Sequence, residues 1–120
     1  MARAAANQVV HLELQTRNLS RACAFYTRLL GWRAETISVG PASYLTLGLG
    51  HAIEGGVVER EMELSHWLPY VQVSDVAEVT EQARLLGGAV LLEPREGPVG
   101  WRSVVAVPAG AEIGLWQPKA

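Results

Sequence analysis

The stretch that decides the fold is Asn18-Leu19-Ser20-Arg21-Ala22-Cys23-Ala24-Phe25-Tyr26-Thr27-Arg28-Leu29-Leu30-Gly31, because its outline returns at Asp75-Val76 and runs to Arg84-Leu85-Leu86-Gly87. The Asx positions are 57 residues apart and the Arg-Leu-Leu-Gly runs 56 apart; Gly40-Pro41 and Gly97-Pro98 are again 57 apart. A repeat of this length in a short chain means two copies of one supersecondary unit. Each copy reads as a helix. Asn18 and Asp75 offer N-cap oxygens. Leu19, Ala22, Tyr26 and Leu29 fall at i, i+3, i+7 and i+10, as do Val76, Val79, Ala83 and Leu86. That spacing gives an amphipathic stripe. Gly31 suits the left-handed residue that ends a helix, and Gly87-Gly88 ends the second.

Working outward, Val9 to Thr16 alternates, with Val10, Leu12 and Leu14 apolar and His11, Glu13 and Gln15 polar. Period two predicts a half-buried strand. Strands are predicted over 32–39 and 43–48 around the Gly40-Pro41 turn, then over 52–59, interrupted by Gly55-Gly56. The second half repeats the order, with strands over 70–73, 89–93, 102–107 and 112–117 and a Gly/Pro loop at 96–100. Each half is βαβββ, an α+β arrangement of two tandem modules. Module one spans about 8–59, a charged linker about 60–66 and module two about 67–118. Neither half buries a core by itself at this size. The two are expected to pack into one domain over 1–120, with a small-molecule pocket at the seam.

Composition excludes several classes. The chain is 49% hydrophobic and only 18% charged, which argues against disorder. Net charge is -2, the arginines are scattered and Lys119 is the sole lysine, so no basic face for nucleic acid is expected. No run of 18 apolar residues suggests a membrane span, and Met1 to Asn7 carries no apolar leader segment. A cytoplasmic protein is the expectation. Cys23 is the sole cysteine, which excludes an intramolecular disulfide, and its place on a helix predicts a packing role.

The ordered set of motifs resembles the vicinal oxygen chelate superfamily, which includes glyoxalase I, bleomycin-resistance proteins and extradiol dioxygenases. The residues that carry the resemblance are Val10-His11-Leu12-Glu13-Leu14, Asn18-Leu19 and Phe25-Tyr26-Thr27-Arg28-Leu29-Leu30-Gly31-Trp32 in module one. In module two they are Tyr70-Val71-Gln72-Val73-Ser74-Asp75-Val76, Leu86-Gly87-Gly88 and Pro108 to Pro118. The resemblance covers about residues 9–118. It implies strands curved around a cleft with the helices outside, and His11, Glu13 and Gln15 facing that cleft.

Metal-dependent members of that superfamily use four cleft positions, on the first and last strand of each module, filled by His and Glu. Such ligands suit Zn, Ni, Fe or Mn, and the metal polarises a substrate with two neighbouring oxygens. Here the positions fall on His11, Gly56, Leu68 and Gly114. Only His11 is a competent ligand, so no intact metal centre and no cofactor are expected. Glu54, His66 and Glu112 share the parity of the lost positions and are the shifted candidates. His51 reads as a solvent-facing turn residue.

Without a metal, the resemblance and parity place Glu13, Gln15, Leu68, Tyr70, Gln72, Glu112 and Trp116 on cleft faces beside His11, with Trp101 closing one end. Such a lining suits a planar, aromatic or drug-like ligand. The expected function is metal-free binding of a small organic molecule, like the bleomycin-resistance branch. The alternative is a lyase, isomerase or dioxygenase. That chemistry would run either by acid/base catalysis, with Glu13 as base and His11 or Tyr70 as acid, or through the shifted metal set. The resemblance also implies a homodimer, with the segment Trp67-Leu68-Pro69 as the expected contact.

Overall fold

The computed structural model describes residues 7–39, 42–50 and 53–119, excluding the side chains of 39 and 42–44. The Gly40-Pro41 turn and His51 lie outside the described residues. The elements are β1 (Val9–Thr16), α1 (Leu19–Leu30), β2 (Ala34–Val39), β3 (Ala42–Leu47), β4 (Glu54–Glu59), β5 (His66–Gln72), α2 (Val76–Leu85), β6 (Ala89–Glu96), β7 (Gly100–Ala106) and β8 (Glu112–Pro118). The order βαβββ thus occurs twice, and the fold is α+β. The linker is shorter than the sequence predicts, since His66 already belongs to β5.

Among the described residues, those within 11–68 form one compact unit, and 69–119 with 7–10 form the other. Within the first, the strand order is β2-β3-β4-β1. The strands β2, β3 and β4 are antiparallel neighbours, while β1 and β4 run parallel. Within the second, the order is β5-β8-β7-β6, with β5 and β8 parallel and the rest antiparallel. Parallel neighbours need a long connection, and the helix with its following hairpin supplies it. Each module therefore lays its last strand beside its first. In the second unit, the Asn7 amide donates to the Gln72 carbonyl at 3.0 Å, and the Gln72 amide to the Gln8 carbonyl at 2.9 Å.

Both helices start as their sequences predict. The Asn18 side chain accepts the Arg21 amide at 3.0 Å, and that of Asp75 accepts the Glu78 amide at 3.1 Å. The Glu59 carboxylate adds a third acceptor, taking the Leu19 amide at 2.9 Å. A carboxylate there also opposes the positive end of the helix dipole. Gly31 ends α1 at φ 71 in the left-handed region, where a side chain is disfavoured.

Module one packs Leu14, Leu47 and Val57 against Leu19, Ala22, Cys23 and Tyr26 of α1. Module two packs Val73, Val76, Val105 and Leu115 with Val79, Ala83 and Trp101. In each helix the last stripe position fails. Leu29 is 63% exposed and Leu86 is 80% exposed. Leu86 is the C-cap of α2, already off the helix. Cys23 is half-buried in the first core, and burial pushes its thiol above the ordinary range. Between α2 and β7, the Thr80 hydroxyl donates to the Val76 carbonyl at 2.6 Å and meets the Ser103 hydroxyl at 2.7 Å, both side chains being buried.

Candidate functional site

In β1, Leu14 packs on the helix, so alternation turns His11, Glu13 and Gln15 to the opposite face. Glu13 is 8% exposed and Gln15 is also buried. Buried polar groups need partners. The Gln15 amide donates from Nε2 to Glu13 Oε1 at 2.9 Å, and Arg60 Nη1 donates to Gln15 Oε1 at 3.0 Å. A glutamine flanked this way has its orientation assigned by its neighbours. Its oxygen meets the cation and its nitrogen meets the carboxylate. The linker therefore straps the end of β1. The Arg60 amide also donates to the Thr16 carbonyl, and Ser65 Oγ donates to Thr16 Oγ1 at 2.8 Å.

His11 sits beside this pair. Burial lowers its pKa from the ordinary 6.5, opposed by the charges of Glu13 and Glu54. Glu54 is its register partner on β4, and Glu13 is paired in register with Gly56. A Cβ placed on Gly56 would meet His11 Nε2 at 3.0 Å and Cε1 at 3.1 Å. The imidazole thus lies in the space a side chain at position 56 would take.

Module two repeats the geometry with other chemistry. Tyr70 on β5 is the repeat partner of Glu13, and it pairs in register with Gly114 on β8. A Cβ on Gly114 would collide with the Tyr70 ring. Arg102 Nη1 donates to the Tyr70 hydroxyl at 3.0 Å. Trp116, two residues beyond Gly114, pairs with Arg102 and lays its ring on Gly100. Gln72 is half-buried in register with Trp116, and Glu112 is half-buried at the start of β8.

Three sequence expectations are corrected. Trp101 does not close the cleft. Ser103 bonds Thr80 of α2, so alternation along β7 puts Trp101 on the helix side, where it packs in the core with Lys119 over its ring at 5.7 Å. Leu68 is 0% exposed and offers a ligand no surface. The segment Trp67-Leu68-Pro69 is not an exposed contact, since Trp67 is half-buried, donates to the Tyr26 hydroxyl at 3.2 Å and packs edge-on to Tyr26 and Trp32. Arg60 and Arg102 escape the sequence reading. Arg102 was countable, since it alternates with Ser103 on a predicted strand; Arg60 lies in a linker with no period to follow.

The residues present do not fit the metal that the superfamily's chemistry implies. Position 56 is a glycine beneath His11, position 114 a glycine beneath Tyr70, and position 68 a buried leucine. Among the described residues, no three His, Cys, Asp or Glu side chains gather in a group able to hold an ion.

Repeated βαβββ modules, with first and last strands paired, define the class, and residues 8–114 match the Glyoxalase/Bleomycin resistance protein/Dioxygenase superfamily. The chain belongs to that superfamily. It is 33% identical over 117 residues to the candidate glyoxylase CFP32 of Mycobacterium tuberculosis, and equally to that of Mycobacterium bovis. The alignment covers 88% of this chain and 44% of CFP32, so the chain spans about half the length of the curated relatives it matches. Among solved structures, methylmalonyl-CoA epimerase from Mycobacterium tuberculosis superposes with a TM-score of 0.67 at 16% identity, covering 99% of this chain and 94% of the other. The hypothetical protein BH1468 from Bacillus halodurans also gives 0.67, at 13% identity, covering 95% and 96%. At such identities the likeness is one of fold. No helix among the described residues is long and apolar enough to cross a membrane.

Proposed function

We propose that this chain binds a small organic molecule without a metal, on the helix-distal face of a module: the face that carries His11, Glu13 and Gln15 in module one, or the one that carries Tyr70, Gln72 and Trp116 in module two. The observation that carries this reading is the seating of a ring on a glycine in both modules, His11 on Gly56 and Tyr70 on Gly114. The resemblance puts these glycines at ligand positions of the metal-dependent members, and each ring occupies space that a side chain there would need. Glu13, Gln15 and Tyr70 are themselves buried, so what the faces offer is their half-buried groups, His11 in module one and Gln72 and Trp116 in module two. Such a lining suits a planar organic ligand with a hydrogen-bonding edge.

Tryptophan fluorescence titrations against a panel of aromatic and amphipathic drug-like compounds test the reading. Saturable quenching is expected for the wild type and a reduced signal for Trp116→Phe. Metal analysis of the purified chain is expected to find far less than one ion per chain. A full equivalent of zinc, nickel, iron or manganese would sink the proposal.

A second reading is favoured by the burial of His11 beside Glu13. A neutral imidazole next to a carboxylate is suited to moving a proton α to a carbonyl. Deuterium wash-in from D2O into carbonyl compounds, abolished by Glu13→Gln, would support it. Exchange that survives Glu13→Gln would remove Glu13 from that role.

A further inference from the structure

The outward face of α1 is exposed but not uniformly polar. Leu19, Ala22, Cys23 and Tyr26 form its core side. The opposite stripe is Arg21, Ala24, Phe25, Arg28 and Leu29, which together line a shallow hollow. These positions are i, i+3, i+4, i+7 and i+8, so they share one face. Such a face is ordinarily polar, yet Phe25 is 59% exposed and Leu29 63% exposed. Its charge is one-signed. Among the described residues the guanidinium groups of Arg21 and Arg28 enter no ion pair. By contrast, Arg84 of α2 meets Glu93 at 2.8 Å and Glu81 at 3.5 Å, and Lys119 meets Glu96 at 2.8 Å. The duplication sharpens the contrast. The α2 positions 57 residues on from Arg21, Ala24 and Phe25 are Glu78, Glu81 and Gln82.

The complement of this face lies on the same unit. The segment after Arg60 reads Glu61-Met62-Glu63-Leu64, with both carboxylates exposed and Leu64 80% exposed. It continues into Ser65, which lines a second hollow together with Arg21 and Phe25. One continuous surface therefore has a basic, aromatic half and an acidic, aliphatic half. A two-fold axis through such a surface brings each half onto the other's counterpart, so every contact is made twice.

We propose that this surface is a self-association interface between two copies of the chain. Arg21 and Arg28 of one copy face Glu61 and Glu63 of the other, and Leu64 of the second copy covers Phe25 and Leu29 of the first. The spans agree. Arg21 and Arg28 are separated by about 10 Å along the helix and the two glutamates by about 7 Å along extended chain. The flexible arginine side chains take up the difference.

The test is a reciprocal charge swap on the full chain, read by sedimentation across a concentration series, with circular dichroism as the check on folding. The wild type is expected to dimerise, more weakly at high salt. Arg21→Glu/Arg28→Glu and Glu61→Arg/Glu63→Arg each face like charges across the axis and are expected to dissociate about tenfold or more easily. Mixed together, the two variants restore both contacts and are expected to form a heterodimer. A chain with all four changes is expected to regain the homodimer. A wild type that stays monomeric would leave the face to another, acidic partner and overturn the proposal. A dimer indifferent to the swaps would overturn it as well.

Discussion

At the scale of single residues, the glycines at 56 and 114 carry the most consequence, because each is defined by the ring above it. Alanine in a strand gains about 0.5–1 kcal/mol over glycine from lost unfolded-state freedom. At Gly56 the new methyl would press on the far edge of the His11 imidazole at 3.0 Å, the end of a side chain and not fixed backbone. Gly56→Ala is therefore expected within about 1 kcal/mol of wild type. At Gly114 the methyl would enter the Tyr70 ring, which Arg102 holds by its hydroxyl. Gly114→Ala is expected to cost about 2–3 kcal/mol or more, measured by urea unfolding. In a Tyr70→Ala background most of that cost should vanish, and a cost that persists would contradict the ring-on-glycine account. The repeat register located both glycines from sequence. It did not say what fills them, because parity assigns a face and not the reach of a neighbouring ring. The Arg60–Gln15–Glu13 chain was hidden for a similar reason: its cation comes from outside any periodic element.

At the scale of elements, both helix starts and all eight strands were legible, since alternation, N-cap residues and glycine stops agreed with one another. Boundaries failed where the local signal was ambiguous. The predicted strand began at 102, two residues after β7 starts, so Trp101 was left outside the alternation and assigned to the wrong face. The structure puts Trp101, Ser103 and Val105 toward α2, and this fixes the role of the Thr80–Ser103 hydroxyl pair. Serine and threonine are mostly exposed residue types. Buried together, each satisfies the other. Removing one partner strands the other's hydroxyl, whereas removing both leaves no polar group unpaired. Thr80→Val and Ser103→Ala are each expected to cost about 1–3 kcal/mol. The double variant is expected to cost clearly less than their sum in equilibrium unfolding, and strict additivity would show that the two hydroxyls do not act as a pair.

At the scale of the whole molecule, the two modules share topology and differ in titratable chemistry. The β1 face of module one holds His11 beside Glu13 and Glu54, while the repeat partners of His11 and Glu13 are Leu68 and Tyr70. The two copies keep one frame and carry different chemistry on it. The sign of the consequence follows from burial. His11 has a folded pKa below its ordinary 6.5 because desolvation outweighs the attraction of the two carboxylates. The unfolded chain therefore binds a proton at His11 more readily than the folded one, and stability must fall wherever that difference is realised. The contribution is fully present above 6.5 and is lost as pH falls from 6.5 toward the lowered folded value. Unfolding free energies measured from pH 7.5 down to about 5.5, the window a buried histidine spans, should decline for the wild type. His11→Gln, which keeps a hydrogen-bonding side chain on Gly56 but cannot titrate, should show a flatter decline over the same range. Parallel curves for the two proteins would mean that His11 is not held neutral by its surroundings.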